Sequence, residues 1–384
     1  MSSEWRDGKL GEFIELKRGY DLPQAKREAG PFPLISSSGR SDQHSSPMVR
    51  GPGVVTGRYG TIGQVFYVEE DFWPLNTTLY VRDFKGNDPR FISYFLQTVD
   101  FLAFSDKAAV PGINRNHLHE AKVQLAPVRE QRKIAEFLGM LDQRITLLRE
   151  TNATLEAIAQ ALFKSWFVDF DPVRAKRDGR APEGMDEATA ALFPDSFEDS
   201  ELGEVPRGWL PCRLDSLLEL AYGKALKAES RRPGPVPVYG SGGVTGWHDT
   251  ALVAEPSIVV GRKGTVGSLY WESRPFFPID TVFYVRTSLP MSYCFELLKT
   301  LGLQGMNTDA AVPGINRENV YRLLVPSVPD RVIAAFDAVV SSIRRRIDHN
   351  AGHAETLAAL RDTLLPRLIS GQLRLPEAAE EAQV

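Results

Sequence analysis

The sequence predicts an α+β protein of two tandem domains with twisted sheets, each followed by a long helix that belongs to a coiled coil. The main observation is an internal repeat: the string AAVPGINR occurs at Ala108–Arg115 and again at Ala310–Arg317. Around this string, residues of the first half recur 204 positions later, among them Trp5 as Trp209 and Tyr80 as Tyr284. Each copy ends in a segment with heptad spacing of apolar residues. A duplicated unit with helical spacers is typical of a protein that binds a two-part target.

The repeat divides the chain into six segments. They are a first domain at 1–126, a central spacer helix at 127–170, a connector at 171–207, a second domain at 208–326, a C-terminal spacer helix at 327–373 and a disordered acidic tail at 374–384. The connector is assigned from its Pro, Gly and charged residues, and the tail from its small and acidic residues.

Each domain combines short strands with one helix. Short apolar runs between glycine-containing turns predict strands at Gly53–Thr56, Gln64–Val68 and Thr78–Val81, and the second half repeats these runs. Helical spacing follows at Phe91–Phe104 and at Met291–Leu301. This alternation indicates a compact α+β unit around a twisted sheet.

The two spacers carry apolar residues at steps of three and four. In the first spacer the series is Ile134, Leu138, Leu141, Ile145, Leu148, Leu155, Ala159, Leu162 and Trp166, and in the second it is Phe336, Val340, Ile343, Ile347, Ala354, Leu357 and Leu364. Each series includes one asparagine, Asn152 or Asn350, which would fix the register of a pair of helices. The first seam predicts about 50 Å of helix, and Pro366 is expected to end or kink the second helix. Helices that pack only on their own domains are the alternative.

Composition restricts the class of protein. An apolar share of 43% is enough for ordinary cores, and the net charge of −4 argues against indiscriminate coating of nucleic acid. Two isolated cysteines, Cys212 and Cys294, and a polar start without a signal core lead us to expect a cytoplasmic protein. No apolar run approaches the length of a membrane span, so no membrane partner is expected.

Together these segments resemble the specificity subunit of type I restriction–modification systems, and the resemblance covers nearly the whole chain. The residues that carry it are the paired VPGIN segments (Val110–Asn114 and Val312–Asn316), the proline-led helix entries at Pro127 and Pro326, LFKSWFVDFDPV (Leu162–Val173), FPDSFEDSELGEVPRGW (Phe193–Trp209) and RDTLLPRLISGQL (Arg361–Leu373). Each segment is a weak signal by itself, but their order, spacing and duplication make the resemblance specific.

The resemblance implies two target-recognition domains that read the halves of an asymmetric bipartite site in double-stranded DNA, held apart by an antiparallel helix pair. It also implies partners: two methyltransferase subunits and the restriction subunits of a nuclease complex. The chain would then be a non-catalytic subunit without a cofactor of its own, and S-adenosylmethionine, ATP and Mg²⁺ would belong to the partner subunits. A duplicated coiled-coil protein-interaction module without DNA specificity is the alternative function.

Two polar segments at the same place in the copies are the first candidates for DNA contact. ISSSGRSDQHSS (Ile35–Ser46) and VYGSGGVTGWHDT (Val238–Thr250) share a frame but differ in polar content, as expected of segments that read different bases. The candidates are Arg40, Gln43 and His44 in the first copy and Ser241, Thr245 and His248 in the second. Arg40 suits guanine and Gln43 suits adenine, and an ordinary surface loop is the alternative.

The second group of candidates is repeated rather than varied. The glycine-rich stretches Gly57–Gly63 and Gly261–Gly267 lack the lysine–hydroxyl ending of a nucleotide-binding loop. They are either tight strand connections or supports that project Arg58, Tyr59, Arg262 and Lys263 onto DNA phosphates. The asparagine and arginine that end the repeated string are also identical in the two copies, which argues that they do not discriminate bases. Their possible roles are contact with the DNA backbone or a turn that holds the domain against its helix; the residues are Asn114, Arg115, Asn316 and Arg317.

The end of the first spacer is a candidate for binding a partner protein. Trp166, Phe167, Phe170 and Asp171 follow the heptad seam directly, and plain helix termination is the alternative. The DFDP sequence at Asp169–Pro172 does not match a methyltransferase or nuclease motif, and the six histidines do not have Cys/His metal spacing. His349 and His353 are four apart on the second helix, a spacing that could bind a metal, but without an HExxH pattern we interpret them as a solvated pair. No catalytic residue and no metal site are therefore predicted.

Overall fold

The chain folds into two units, each containing one copy of the repeat. In the computed structural model, which describes residues 5–106, 112–307 and 314–375, unit 1 joins the chain up to Leu148 with the segment from His353 onward. Unit 2 comprises Arg149–Gly352. Each unit therefore contains a domain together with a part of each spacer helix.

Unit 1 is built on a four-stranded and a three-stranded sheet. Its elements are β1 (Arg6–Lys9), α1 (Leu10–Phe13), β2 (Glu15–Arg18), β3 (Phe32–Ser36), β4 (Gly39–His44), β5 (Gly53–Gly57), β6 (Val65–Val68), β7 (Trp73–Pro74), β8 (Thr78–Asp83), α2 (Pro89–Gln97), β9 (Ser105–Asp106), β10 (Gly112–Ile113), α3 (Arg115–His119), β11 (Lys122–Leu125) and the start of α4 (Val128–Phe167). The strand orders are β2-β8-β5-β6 and β4-β3-β7, and only the β3–β7 pairing within these sheets is parallel. β1 pairs with β11 and β9 with β10.

Unit 2 repeats this plan after a connector that contains two short helices and a two-stranded sheet. Its elements are α5 (Asp171–Arg177), α6 (Glu187–Ala190), β12 (Phe197–Ser200), β13 (Gly203–Pro206), β14 (Pro211–Arg213), β15 (Glu219–Tyr222), β16 (Val236–Gly240), β17 (Gly243–His248), β18 (Ser257–Gly261), β19 (Leu269–Glu272), β20 (Phe277–Pro278), β21 (Val282–Arg286), α7 (Met291–Thr300), α8 (Arg317–Tyr321), β22 (Leu324–Pro326) and the start of α9 (Asp330–Ile369). Its sheets have the orders β15-β21-β18-β19 and β17-β16-β20, which match those of unit 1. The predicted α+β repeat is confirmed.

The central strand of each large sheet is buried on both faces. In β5, Val54 packs into the main core of unit 1, and its neighbour Val55 packs into a second cluster with Phe72 and Tyr80. Because successive side chains of a strand point to opposite faces, a run of adjacent apolar residues is needed where both faces are covered. In β18, Val260 and Val259 are divided in the same way.

The spacer helices pack in opposite directions within each unit. In unit 1, Ile145 and Leu148 of α4 pack against Ala354 of α9, while Leu138 and Leu364 join the domain core. In unit 2, Asn350 donates a hydrogen bond to Asn152 at 2.9 Å, and Asn152 donates to the carbonyl of Ile347 at 3.0 Å. The paired residue numbers rise on one helix as they fall on the other, so the predicted antiparallel pairing is confirmed, and each helix also packs on a domain core.

An aromatic cluster anchors the helices in unit 2. Phe336 of α9 is fully buried, and its ring lies 5.1 to 5.9 Å from the rings of Phe163, Trp166 and Phe167 of α4. Edge-to-face geometry dominates these contacts, which is the favourable arrangement for aromatic quadrupoles.

Of the two outcomes predicted for Pro366, an end or a kink of the second helix, the structure excludes an end. Pro366 lies inside the helix, which continues to Ile369. Leu368 and Ile369 are buried in the core of unit 1, and their burial compensates for the backbone hydrogen bond that proline cannot donate. The predicted disordered tail falls outside the described residues from 376 onward. Among the described helices, none is long and apolar enough to cross a membrane.

Replacing Phe336 by alanine should destabilise unit 2 by about 3–5 kcal/mol, because the substitution removes a fully buried ring and leaves a cavity. Urea unfolding followed by circular dichroism measures the change. Val339, on the same helix, is 48% exposed, so Val339→Ala is the matched control and should change the stability by less than about 0.5 kcal/mol. Equal effects of the two substitutions would contradict the aromatic anchor.

Candidate nucleic-acid interface

Strands β4 and β17 are the edge strands of the two small sheets and are held at both ends in the same way. Each begins at a glycine with positive φ, +103° at Gly39 and +99° at Gly243. Each ends at a buried histidine whose Nδ1 accepts a backbone hydrogen bond: His44 from Glu28 N at 3.1 Å, and His248 from Arg232 N at 3.0 Å.

These contacts correct the interpretation of the two histidines. Their rings also pack edge-on against Trp73 and Phe277, at 5.1 and 5.9 Å. Because Nδ1 is occupied and the ring is buried, His44 and His248 cannot read bases in this conformation. They fix the ends of the strands instead.

Between the fixed ends, the two strands expose different side chains. The tetrapeptide Arg40–Gln43 (RSDQ) in β4 corresponds to Val244–Trp247 (VTGW) in β17, and the side chains of both are largely exposed. Both strands also have a bulge at the same place in their pairing, at Leu34/Ile35 and at Val238/Tyr239. The frame is therefore the same in the two copies, and the exposed content differs.

The side chains of the first tetrapeptide have charged neighbours. Arg40 forms an ion pair with Glu70, and Asp42 lies 3.4 Å from Arg27. The backbone N–H of Gln43 and the guanidinium of Arg27 hold the pKa of Asp42 below its usual value. Gln43 remains exposed.

The second tetrapeptide is more apolar, and sequence reasoning missed its main feature. Trp247 is 50% exposed and Val244 is 46% exposed. The predicted candidate Thr245 donates to the carbonyl of Val238 at 3.3 Å, as Ser41 does to Leu34 in the first copy. Pairing the copies at the constant offset of 204, which aligns Gln43 with Trp247, is the signal that would have identified Trp247. Ser241 lies in the preceding turn, where its carbonyl accepts from Ser268 and Tyr270.

The glycine-rich stretches form the tight connections β5–β6 and β18–β19. A Cβ at Gly57 would lie 1.9 Å from the carbonyl oxygen of Thr61, and one at Gly261 would lie 2.2 Å from that of Thr265, so only glycine fits. Next to each glycine, the chain pairs with the end of the repeated string: Ile113 N donates to Arg58 O at 3.1 Å, and Ile315 N donates to Arg262 O at 2.9 Å. The connection thus brings two predicted candidate segments together.

In unit 2 these segments form a basic pocket of about 220 Å³, which is lined by Tyr222, Arg262, Lys263, Asn316 and Arg317, among others. The guanidinium carbons of Arg262 and Arg317 lie 5.0 and 4.9 Å from the centre of the Tyr222 ring. The Nε–H of Arg317 is buried without a hydrogen-bond acceptor among the described residues, and Glu318 approaches it only to 3.8 Å. A pocket with several cations and an unsatisfied donor suits an anionic ligand.

Unit 1 has a related cluster with a different composition. Arg58 packs on the ring of Tyr59, 4.4 Å from its centre, and Arg115 is exposed at the start of α3. Arg18 stands at the position of Tyr222 and lies 3.6 Å from Asp21. Arg18 and Tyr222 were not predicted, since neither is part of a repeated motif.

The repeated asparagines have a local structural role. Asn114 caps α3 by accepting from Asn116 N at 3.0 Å, and Asn316 caps α8 by accepting from Glu318 N at 2.8 Å. Capping uses the Oδ1 atom and places Arg115 and Arg317 at the first position of each helix. The structure thus supports the structural alternative for the asparagines.

The same short helices tie down strands β2 and β15. In unit 1, Leu16 N donates to His119 Nε2 at 3.0 Å, and in unit 2 Leu220 N donates to Tyr321 Oη at 2.8 Å. Burial lowers the pKa of His119, because removal from water penalises the protonated ring, and the nearby cation Arg115 acts in the same direction.

Three of the four predicted partner-binding residues are part of the core. Trp166, Phe167 and Phe170 are at most 8% exposed and pack around Trp209 and Phe193. We therefore correct their interpretation, because buried rings offer no surface to a partner. Asp171, at the start of α5, is exposed, and its predicted role remains a prediction.

Comparisons with known proteins identify what this arrangement resembles. Residues 2–157 match the model of the type I restriction modification DNA specificity domain. The HindI specificity subunit of Haemophilus influenzae is 25% identical and aligns over 81% of this chain and 84% of its own length. The MjaIX specificity subunit of Methanocaldococcus jannaschii, also 25% identical, aligns over 79% and 74%. The crystal structure of the S subunit of a type I restriction–modification system from M. genitalium has a TM-score of 0.61 at 18% identity and covers 95% of this chain and 96% of that chain, which shows the same fold.

The lowered pKa of His119 predicts a pH-dependent stability of unit 1. The pKa of His119 in the folded protein lies below its unfolded value of about 6.5. The contribution of His119 to the free energy of unfolding is therefore fully present above about pH 6.5, and it is lost as the pH falls from there through the folded pKa. His119→Tyr, which introduces the residue of the second copy, should flatten the dependence of Tm on pH between about 5 and 7. The exposed His117→Tyr on the same helix is the control and should retain the wild-type profile. An unchanged profile in His119→Tyr would contradict the assignment.

Proposed function

Because the chain belongs to the family of type I restriction–modification DNA specificity proteins, we propose that it reads an asymmetric two-part sequence in double-stranded DNA, one half with each domain. The observation that carries this proposal is the pair of edge strands β4 and β17, in which identical ends hold different exposed tetrapeptides. A scaffold that is constant and a surface that varies are what two different half-sites require.

The exposed side chains suit different bases. In RSDQ, the fork of Arg40 suits the O6 and N7 atoms of guanine, and the amide of Gln43 suits the N6 and N7 atoms of adenine. In VTGW, Val244 and Trp247 offer apolar surface, which suits the methyl group of thymine or an unstacked base. The first domain would thus read by hydrogen bonds and the second largely by apolar contact.

The basic clusters would hold the DNA backbone next to these readers. These clusters supply local positive charge, although the net charge of the whole chain is −4. Their cations are Arg262, Lys263 and Arg317 in unit 2 and Arg18, Arg58 and Arg115 in unit 1. A phosphate oxygen would satisfy the buried Nε–H of Arg317. Such contacts position the duplex without carrying sequence information, which agrees with the recurrence of Arg58 as Arg262 and of the arginine that ends the repeated string.

The chain would act through partners rather than by catalysis. We propose two methyltransferase subunits and the restriction subunits of the complex as those partners, with S-adenosylmethionine, ATP and Mg²⁺ bound by them. Among the described residues no three His, Cys, Asp or Glu side chains are grouped as metal ligands. The alternative of an interaction module without DNA specificity has no specific observation in its favour.

Exchange of one tetrapeptide tests the readers. Replacing RSDQ at 40–43 by VTGW should change or erase the sequence preference at one half-site and leave the other half intact, because only one domain is altered. The measurement is sequencing of methylated adenines in cells that express the chain with the methyltransferase subunit.

The matched control is Asp83→Thr, which also introduces the residue of the second copy, Thr287. Asp83 lies outside the tetrapeptide, at the end of β8 in the large sheet, four residues beyond the Leu79 that pairs with Thr56. It should leave both half-sites unchanged. Unchanged preference after the tetrapeptide exchange would contradict the assignment of the readers, and loss of preference at both halves would contradict their independence.

Removal of a single cation tests the phosphate contacts. Arg262→Gln and Arg317→Gln should each weaken the binding of every duplex sequence to a similar extent, and should reduce the slope of log K against log salt by about 0.9 for each phosphate that is no longer neutralised. Fluorescence anisotropy of the full chain with duplex DNA, at salt concentrations between about 50 and 200 mM, gives both the affinity and the slope.

Arg286→Gln provides the control for charge alone. Val282 of β21 pairs with Gly261 beside the pocket, whereas Arg286 lies at the opposite end of that strand. Its replacement should leave the slope unchanged. An effect of Arg286→Gln as large as that of Arg262→Gln would assign the salt dependence to net charge and remove the pocket from the interface.

A further inference from the structure

Two ion pairs join the spacer helices, and each links an acid of α4 to an arginine of α9. In unit 1 the carboxylate of Asp142 on α4 lies 2.6 Å from Arg361 of α9 and accepts a hydrogen bond from Tyr94 of α2. In unit 2 the buried Arg344 of α9 forms ion pairs with Glu156 of α4 and Glu296 of α7.

The repeat makes these two clusters equivalent. Helices α4 and α9 begin 202 positions apart, at Val128 and Asp330, so Asp142 occupies the place of Arg344. The same offset places Tyr94 on Glu296. In both clusters α4 supplies the acid and α9 supplies the arginine. The equivalent positions 142 and 344 therefore carry opposite charges.

Pairing of a helix with a second copy of itself would break these ion pairs. Across two copies of α4, the place of Arg361 is taken by Ala159, so Asp142 would have no cation and would lie within about a turn of Glu156. Across two copies of α9, the place of Glu156 is taken by Ala358. Arg344 would then lose Glu156, keep only Glu296 of its own half, and lie near Arg361. The loss of an ion-pair partner and the approach of a like charge both destabilise the self-paired arrangements.

The asparagine pair discriminates in the same direction. Asn350 is 1% exposed and is satisfied by Asn152. In the native pair Asn152 faces Asn350, and the residue of α4 that is equivalent to Asn350 at the offset of 202 is Leu148. Two copies of α4 would therefore place Asn152 opposite Leu148, and by the same rule two copies of α9 would place Asn350 opposite Ala354. Either pairing would bury an amide against an apolar side chain, which costs free energy.

We propose that these three polar contacts make each spacer helix selective for the other helix of this chain and against a second copy of itself. The aliphatic middle of the seams supplies little of this selectivity, because equivalent residues there, such as Leu138 and Val340, are both aliphatic and would pack in any combination. Selectivity therefore rests on penalties in the self-paired arrangements.

A cut version of the full chain tests the proposal. A protease site is inserted in the exposed loop at 178–184, the folded protein is cleaved there, and the two fragments are dissociated in urea and allowed to pair again. Native mass spectrometry then counts pairs of unlike fragments and pairs of like fragments. The wild-type protein should give pairs of unlike fragments almost exclusively.

Two variants should lose this selectivity. In Asp142→Arg with Arg361→Asp, the ion pair within the chain is retained, but the self-paired arrangements become complementary in charge. In Asn152→Leu with Asn350→Leu, the buried amides are removed and the uncut chain should remain folded, because apolar residues at these positions stabilise helix pairs. Each variant should raise the proportion of like pairs by roughly tenfold.

The matched control exchanges charges that do not face the other helix. Glu130→Lys with Lys133→Glu reverses an exposed pair within α4 and should leave the distribution as in the wild type. Thermal unfolding of the uncut variants verifies that they fold. Random pairing of the wild-type fragments, or a wild-type distribution in both test variants, would overturn the proposal.

Discussion

Burial of the apolar seams of α4 and α9 is the constraint on which the rest of the structure depends. In each unit a part of one helix packs against a part of the other and also against the core of the domain, as Leu138 and Leu364 do in unit 1. The helix ends therefore complete the domain cores, and a change that separates the helices also opens a core. In unit 2 this dependence is concentrated in Phe336 and the three aromatic rings around it.

On this base the two domains use one frame for different surfaces. Buried histidines and positive-φ glycines fix the ends of β4 and β17, and glycine connections bring Arg58 and Arg262 next to the repeated string. These residues hold the backbone and are the same in both copies, whereas the tetrapeptides, which face solvent, differ. Variation in specificity then requires no change of fold, since the exposed side chains of an edge strand contribute little to the core.

Polar residues inside the helix pair follow a different logic. Asn152 and Asn350, together with the clusters around Asp142 and Arg344, do not contribute the main stability of the pair, because a buried polar pair gains little over an apolar one. Their effect lies in the arrangements that they penalise. A duplicated protein needs such penalties, because two similar helices in one chain are each a potential partner for a second copy of themselves.

The sequence by itself determined the repeat, the two α+β domains and the helix pair, because these follow from periodicity that is local along the chain. It also located the varied segments and the asparagines of the seam. Only the tertiary structure decided which candidate side chains are exposed. His44, His248, Trp166 and Phe167 are buried by partners distant in sequence, and Tyr222 reaches Arg262 and Arg317 only through the sheet. Burial depends on contacts between distant segments, and no local pattern in one sequence specifies those contacts.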